Sequence, residues 1–182
     1  MIIWKAKRVY LLITAFAFIS SVQVVNAGDK PWEGIKVRGV ALCGKVVDAA
    51  KVLESQGFTG TYMVMAKNHG YFMSAKLRKG GLKSEVRVNS GHGANVNKTV
   101  HQVSASVRGG KAKSIFEQEI AQVEKATGKK IKCTEKRPGE KICHYKVGPQ
   151  KSDAQRLNYY VRLLEPRGIL KITAGVFNYP DC

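Results

Sequence analysis

From Thr61 to Arg108 apolar and polar side chains alternate in runs separated by glycine. Thr61 to Ala66 (TYMVMA) reads as a strand, and Asn68-His69-Gly70 as a turn into the next. From Tyr71 to Arg78, Tyr71, Met73, Ala75 and Leu77 interleave with Phe72, Ser74, Lys76 and Arg78, the signature of a half-buried antiparallel strand. Gly80-Gly81 turns the chain again. Ser84 to Asn89 then directs Val86 and Val88 inward and Arg87 outward. After Ser90 to Lys98, which has no hydrophobic pattern, Thr99 to Arg108 places His101, Val103, Ala105 and Val107 on one face.

Three segments show spacings of three and four instead. Cys43, Val46, Ala50 and Leu53 lie on one stripe, with Gly57 as a stop, and predict a first helix from Val40. Ser114-Ile115-Phe116-Glu117 has the form of a capping box and predicts a second helix, burying Phe116, Ile120 and Val123 and ending at Gly128. Ser152-Asp153-Ala154-Gln155 has the same form. It predicts a third helix that buries Leu157, Tyr160, Val161 and Leu164 and stops at Pro166 and Gly168. Ile169 to Phe177 is the last strand. The fold class expected is α+β, a mainly antiparallel sheet with three helices. A faint duplication, the first and last helices each leading through a glycine turn into a strand, is not carried by the residues themselves.

Met1 to Ala27 stands apart from these patterns. A basic head (Lys5, Lys7, Arg8), the apolar run Val9 to Ile19 and the small-residue site Val25-Asn26-Ala27 form a secretory signal peptide, with cleavage before Gly28. The apolar run is too short for the roughly 20 residues of a spanning helix. Residues 28–182 are expected to form one domain, periplasmic or secreted, with no membrane span after cleavage.

Export changes the meaning of the cysteines. Cys43, Cys133, Cys143 and Cys182 all follow the signal, and an even count in an exported chain reads as two disulfides. Cys133 and Cys143 flank the turn Arg137-Pro138-Gly139 and can face each other across a hairpin, which leaves Cys43 for Cys182. No Cys-x-x-Cys pair or paired histidine spacing favours a metal, so neither a metal nor another cofactor is expected.

Charge suggests a partner class. The chain has 31 Lys and Arg against 13 Asp and Glu, a formal +18 that falls to +15 without the signal. Anionic partners are attracted and cationic ones repelled. Lys76, Arg78 and Arg87 are expected on one solvent face beside Phe72, able to hold phosphates and stack a base. Lys136, Arg137 and Lys141 at the hairpin tip are a second candidate contact.

The remaining chemistry is sparse. A metal-independent nuclease or phosphodiesterase needs two converging histidines. Of four, His69 at a turn and His92 in a glycine-flanked loop are exposed enough to serve, but their spacing does not bring them together, and His101 and His144 are in structural positions. The loop Ser90 to Asn95 is rich in glycine but does not join a strand to a helix, so the nucleotide-binding fingerprints are absent. Asn97-Lys98-Thr99 is a glycosylation sequon, relevant only to secretion through the endoplasmic reticulum. The function expected is an exported, non-catalytic binding protein. Its basic face would engage an acidic protein surface, as an inhibitor or immunity-type protein does, or a nucleic acid or anionic envelope polymer. The histidine nuclease is the alternative.

Overall fold

The computed structural model describes residues 30–66, 70–90, 99–149, 154–179 and 182, with backbone alone for 61–66, 70 and 71. The signal segment, His69, His92 and the Ser152-Asp153 start of the expected third helix lie outside them.

Two short strands, β1 (Lys36–Val37) and β2 (Val40–Ala41), form a small hairpin and lead into α1 (Val46–Ser55). A meander of four strands follows: β3 (Thr59–Ala66), β4 (Gly70–Lys79), β5 (Leu82–Ser90) and β6 (Val100–Arg108). Helix α2 (Ala112–Thr127) then opens a second series, β7 (Lys132–Arg137), β8 (Glu140–Val147), β9 (Arg156–Leu164) and β10 (Ile169–Phe177). All eight long strands join one antiparallel sheet in the order β3-β4-β5-β6-β10-β9-β8-β7. A helix followed by a four-stranded meander therefore occurs twice. The two meanders meet at their last strands, paired from Arg108–Ile169 to Gln102–Gly175.

Period-two burial explains the sheet. Val86 and Val88 of β5, Val103, Ala105 and Val107 of β6, and Leu170, Ile172 and Ala174 of β10 point into one core. Val46, Ala49 and Leu53 of α1 and Ile115, Phe116 and Val123 of α2 cover that face, with Trp32, Ile35, Val37 and Val40 around the small hairpin. The opposite face of the sheet has no helix over it among the described residues. Turns are set by local chemistry. Gly80 and Gly81, both at positive φ, make the two-residue β4–β5 turn that requires left-handed backbone at both positions. Gly109 follows β6 where a Cβ would stand 2.8 Å from the Gly81 carbonyl.

The expected four-strand meander and the second helix are present. So are both disulfides, Cys43–Cys182 and Cys133–Cys143, with Cα separations of 4.8 and 4.1 Å. Cys133 and Cys143 are direct cross-strand partners.

Three expectations are corrected. Among the described residues there are two long helices, not three: residues 156–164 form strand β9. Leu157, Val161 and neighbouring apolar residues satisfy either period, but β8 and β10 supply hydrogen-bonding partners on both sides. Leu157, Tyr159, Val161 and Leu163 therefore turn inward, and Tyr160 and Leu164 turn outward. Cys43 precedes α1 rather than lying on its buried stripe. Its N–H donates to the Val100 carbonyl at 2.7 Å and the Val100 N–H returns to Gly44 at 2.7 Å, which delays the helix to Val46. Finally, Ser114 caps nothing, because burial of Ala112 starts α2 two residues earlier and puts the serine inside the helix. Gly128 does end it, in the left-handed conformation.

Candidate anion-binding sheet face

Strand register decides which charged side chains share the open face. Ser74 pairs with Arg87, Arg87 with Ser104, Ser104 with Thr173, Thr173 with Tyr160 and Tyr160 with His144. Directly paired residues lie on the same side of a sheet, so these six form one row. The next row runs Lys76, Glu85, Ser106, Lys171, Arg162 and Ile142. Beyond it lie Arg78, Lys83, Arg108, Ile169 and Leu164. Phe72 belongs to the row on the other side, opposite Asn89. Lys76, Arg78, Arg87 and Phe72 are thus brought to one face, as the alternation implied.

The structure adds cations that the sequence reading did not assemble. From β4 to β9 this face carries Lys76, Arg78, Lys83, Arg87, Arg108, Lys171, Arg156 and Arg162, against the single acid Glu85. Glu85 accepts a 2.8 Å hydrogen bond from Arg87. That bond, with the nearby Lys76 charge, holds the Glu85 carboxyl below its ordinary range despite some desolvation. Small hydroxyl side chains sit between the cations and leave two shallow depressions. One, of about 340 Å³, is lined by Glu85, Arg87, Ser104, Ser106, Arg108, Lys171 and Thr173. The other, of about 270 Å³, adjoins it and is lined by Lys76, Arg78, Lys83 and Arg108 together with Glu85 and Ser106. Hydroxyl donors ringed by guanidinium and ammonium groups suit an anion with several oxygens.

At the β8 end the charge is balanced. Glu140 is buried and receives Arg162 through Nε at 2.9 Å and Nη2 at 2.8 Å. Arg162 is thereby committed to structure. Beside it the rings of His144 and Tyr160 stand 5.0 Å apart at 56°. Partial desolvation, and then Lys146, push the His144 imidazole below its usual value. The Arg156 guanidinium covers the Phe177 ring at 4.8 Å from its centroid.

The hairpin tip is a separate place. Lys136 and Arg137 are exposed on β7, the edge strand opposite β3, five strand positions or more from β4 and β5. At about 4.8 Å per strand that is 20 Å or more. Lys141 is half-buried on β8, close enough to Glu165 to help lower that carboxyl, after the larger effect of Lys113 at 2.8 Å. Glu135 accepts the Gly139 N–H at 2.8 Å and rigidifies the turn.

No group of three or more metal-ligating side chains occurs among the described residues. Lys83, Arg108, Lys171, Tyr160 and His144 were missed as one surface because three of the strands presenting them, β8, β9 and β10, belong to the second meander. The signal was the alternation within Arg156–Leu164, masked by its helical reading. Comparison with protein-family models, with curated proteins and with solved structures finds no match in any of the three.

Proposed function

We propose that the mature domain is an exported, non-catalytic binding protein whose open sheet face holds a polyanion. The observation that carries the reading is the register that gathers seven cations and one carboxylate on the uncovered face from β4 to β9, apart from Arg162, which Glu140 holds. The two disulfides accord with a periplasmic or secreted protein. No helix among the described residues is long and apolar enough to cross a membrane.

An inhibitor covering an acidic protein surface is the other version of an anionic partner. A tight protein interface is centred on buried apolar anchors. Among the described residues Val47, on α1, is the large apolar side chain left exposed, at 42%. It lies away from the basic face, so the polymer is favoured.

Fluorescence anisotropy of a labelled polyanion, titrated with the oxidised mature domain at several salt concentrations, tests the reading. Affinity should fall steeply with salt, because each neutralised phosphate releases counterions. Lys171→Glu and Arg108→Glu remove exposed cations that hold no carboxylate among the described residues, so the fold should survive. Each should weaken binding about tenfold at low salt and reduce the logarithmic salt slope by roughly one. Variants that bind as tightly as the parent would refute the assignment of this face. Anisotropy that decays below the free-probe value would reveal cleavage and return the histidine alternative.

A further inference from the structure

We infer that the polyanion is a single-stranded nucleic acid, its phosphates lying in the depression between β5, β6 and β10 and its bases stacking on Tyr160 and His144. This rests on the polyanion reading above and adds the chemistry that a charged face alone does not specify.

The larger depression ends at Thr173 and Lys171 of β10, and the next strand across the face is β9. Thr173 pairs directly with Tyr160, which places the Tyr160 Cα about 5 Å from that of Thr173 at the rim. Lys171 is its diagonal neighbour, at about 7–8 Å. Tyr160 pairs in turn with His144 on β8, and the two rings are in contact. A cationic, hydroxyl-floored trough thus leads straight onto an aromatic platform.

A sulfated or phosphorylated polymer without bases has no use for that platform. Partial desolvation, and then Lys146, push the His144 imidazole below its usual value and favour its neutral form, so His144 offers a ring rather than a second charge. The Arg156 guanidinium, lying over the Phe177 ring, adds a further stacking plane on the same face, Phe177 being four residues along β10 and so about 13 Å from Thr173. Duplex nucleic acid keeps its base faces stacked internally. Only an unpaired strand can lay bases on these rings while its phosphates track Lys171, Arg108 and Arg87.

The test compares three probes on the oxidised mature domain: an oligothymidylate of about 12 nucleotides, an abasic oligonucleotide with the same number of phosphates, and inorganic polyphosphate. The oligothymidylate should bind about tenfold or more tightly than the abasic strand, and an equal-length duplex should compete poorly. His144→Ala and Tyr160→Ala should each weaken oligothymidylate binding about fivefold or more and leave the other two probes unchanged. Tyr160→Phe should restore most of the loss. His144 is exposed, so its variant keeps the test valid if Tyr160→Ala folds poorly. Equal affinity for thymidylate and abasic strands, with both ring variants silent, would overturn this inference and leave the polyanion reading standing. Failure of all three probes at low salt would remove both.

Discussion

At the scale of single residues, the buried carboxylate of Glu119 is the least expected feature of this core. It lies on the covered face of α2, 7% exposed, and accepts the Arg38 N–H at 2.9 Å. Desolvation raises its protonation range, outweighing the Arg38 hydrogen bond and charge. Burial first, and then the nearby Glu119 carboxylate, raise the Tyr159 phenol well above its ordinary range, although the two are not in the geometry of a good hydrogen bond. A raised folded pKa means that the native state binds this proton more tightly than the unfolded chain. The resulting stability is fully present below about 4.5 and is lost as pH rises through the folded value. Glu119→Gln keeps an oxygen for Arg38 and cannot ionise. It should raise Tm at pH 7, and the difference from the parent should shrink as the pH of the melt is lowered below 4.5. A variant less stable than the parent at pH 7 would show that the ionised carboxylate is held favourably.

At the scale of elements, β9 is where local pattern and tertiary structure part. Leu157 and Leu164 are equivalent in a helical reading, both on its buried stripe. In the strand they oppose each other: Leu157 is fully buried and Leu164 is half-exposed beside the basic face. Leu157→Ala should cost about 3 kcal/mol and Leu164→Ala less than about 1 kcal/mol, measured by denaturant unfolding. Equal costs would favour a helical segment. The ambiguity is physical. An apolar residue at i, i+4 and i+7 also meets several positions of a period-two pattern, and only the partners that β8 and β10 provide select one. The earlier meander carried no such conflict. Its strict alternation from Tyr71 to Arg78, broken by Gly80-Gly81, left no helical stripe to compete.

At the scale of the molecule, the two helix-plus-meander halves share one sheet and one core across the β6–β10 seam. The disulfides act on very different lengths of that assembly. Cys133–Cys143 spans a sequence separation of 10 and Cys43–Cys182 one of 139. On the chain-entropy model the short loop contributes about 2.8 kcal/mol and the long one about 5 kcal/mol. Replacing Cys43 and Cys182 by serine should therefore lower Tm more than replacing Cys133 and Cys143, as scanning calorimetry would show. The reverse order would mean that rigidity of the edge hairpin outweighs closure of the chain. Two ion pairs near the tips, Lys113–Glu165 and Lys130–Glu124, are too exposed to change that ranking.

By itself the sequence determined the features that depend on neighbours along the chain. These were the strands of the first meander, the turn glycines, the end of α2 at Gly128, the disulfide partners and the outward grouping of Lys76, Arg78 and Arg87 beside Phe72. The tertiary structure alone decided what depends on pairing between distant segments: that residues 156–164 are a strand, that Cys43 precedes its helix, and that the halves join at β6 and β10. The β6–β10 pairing places Lys171 next to Ser106, 65 positions away in the chain, and the β9–β10 pairing places Tyr160 next to Thr173. Alternation tells which side of its own strand a residue occupies. It does not tell which strand lies alongside, and the candidate site is built from that second fact.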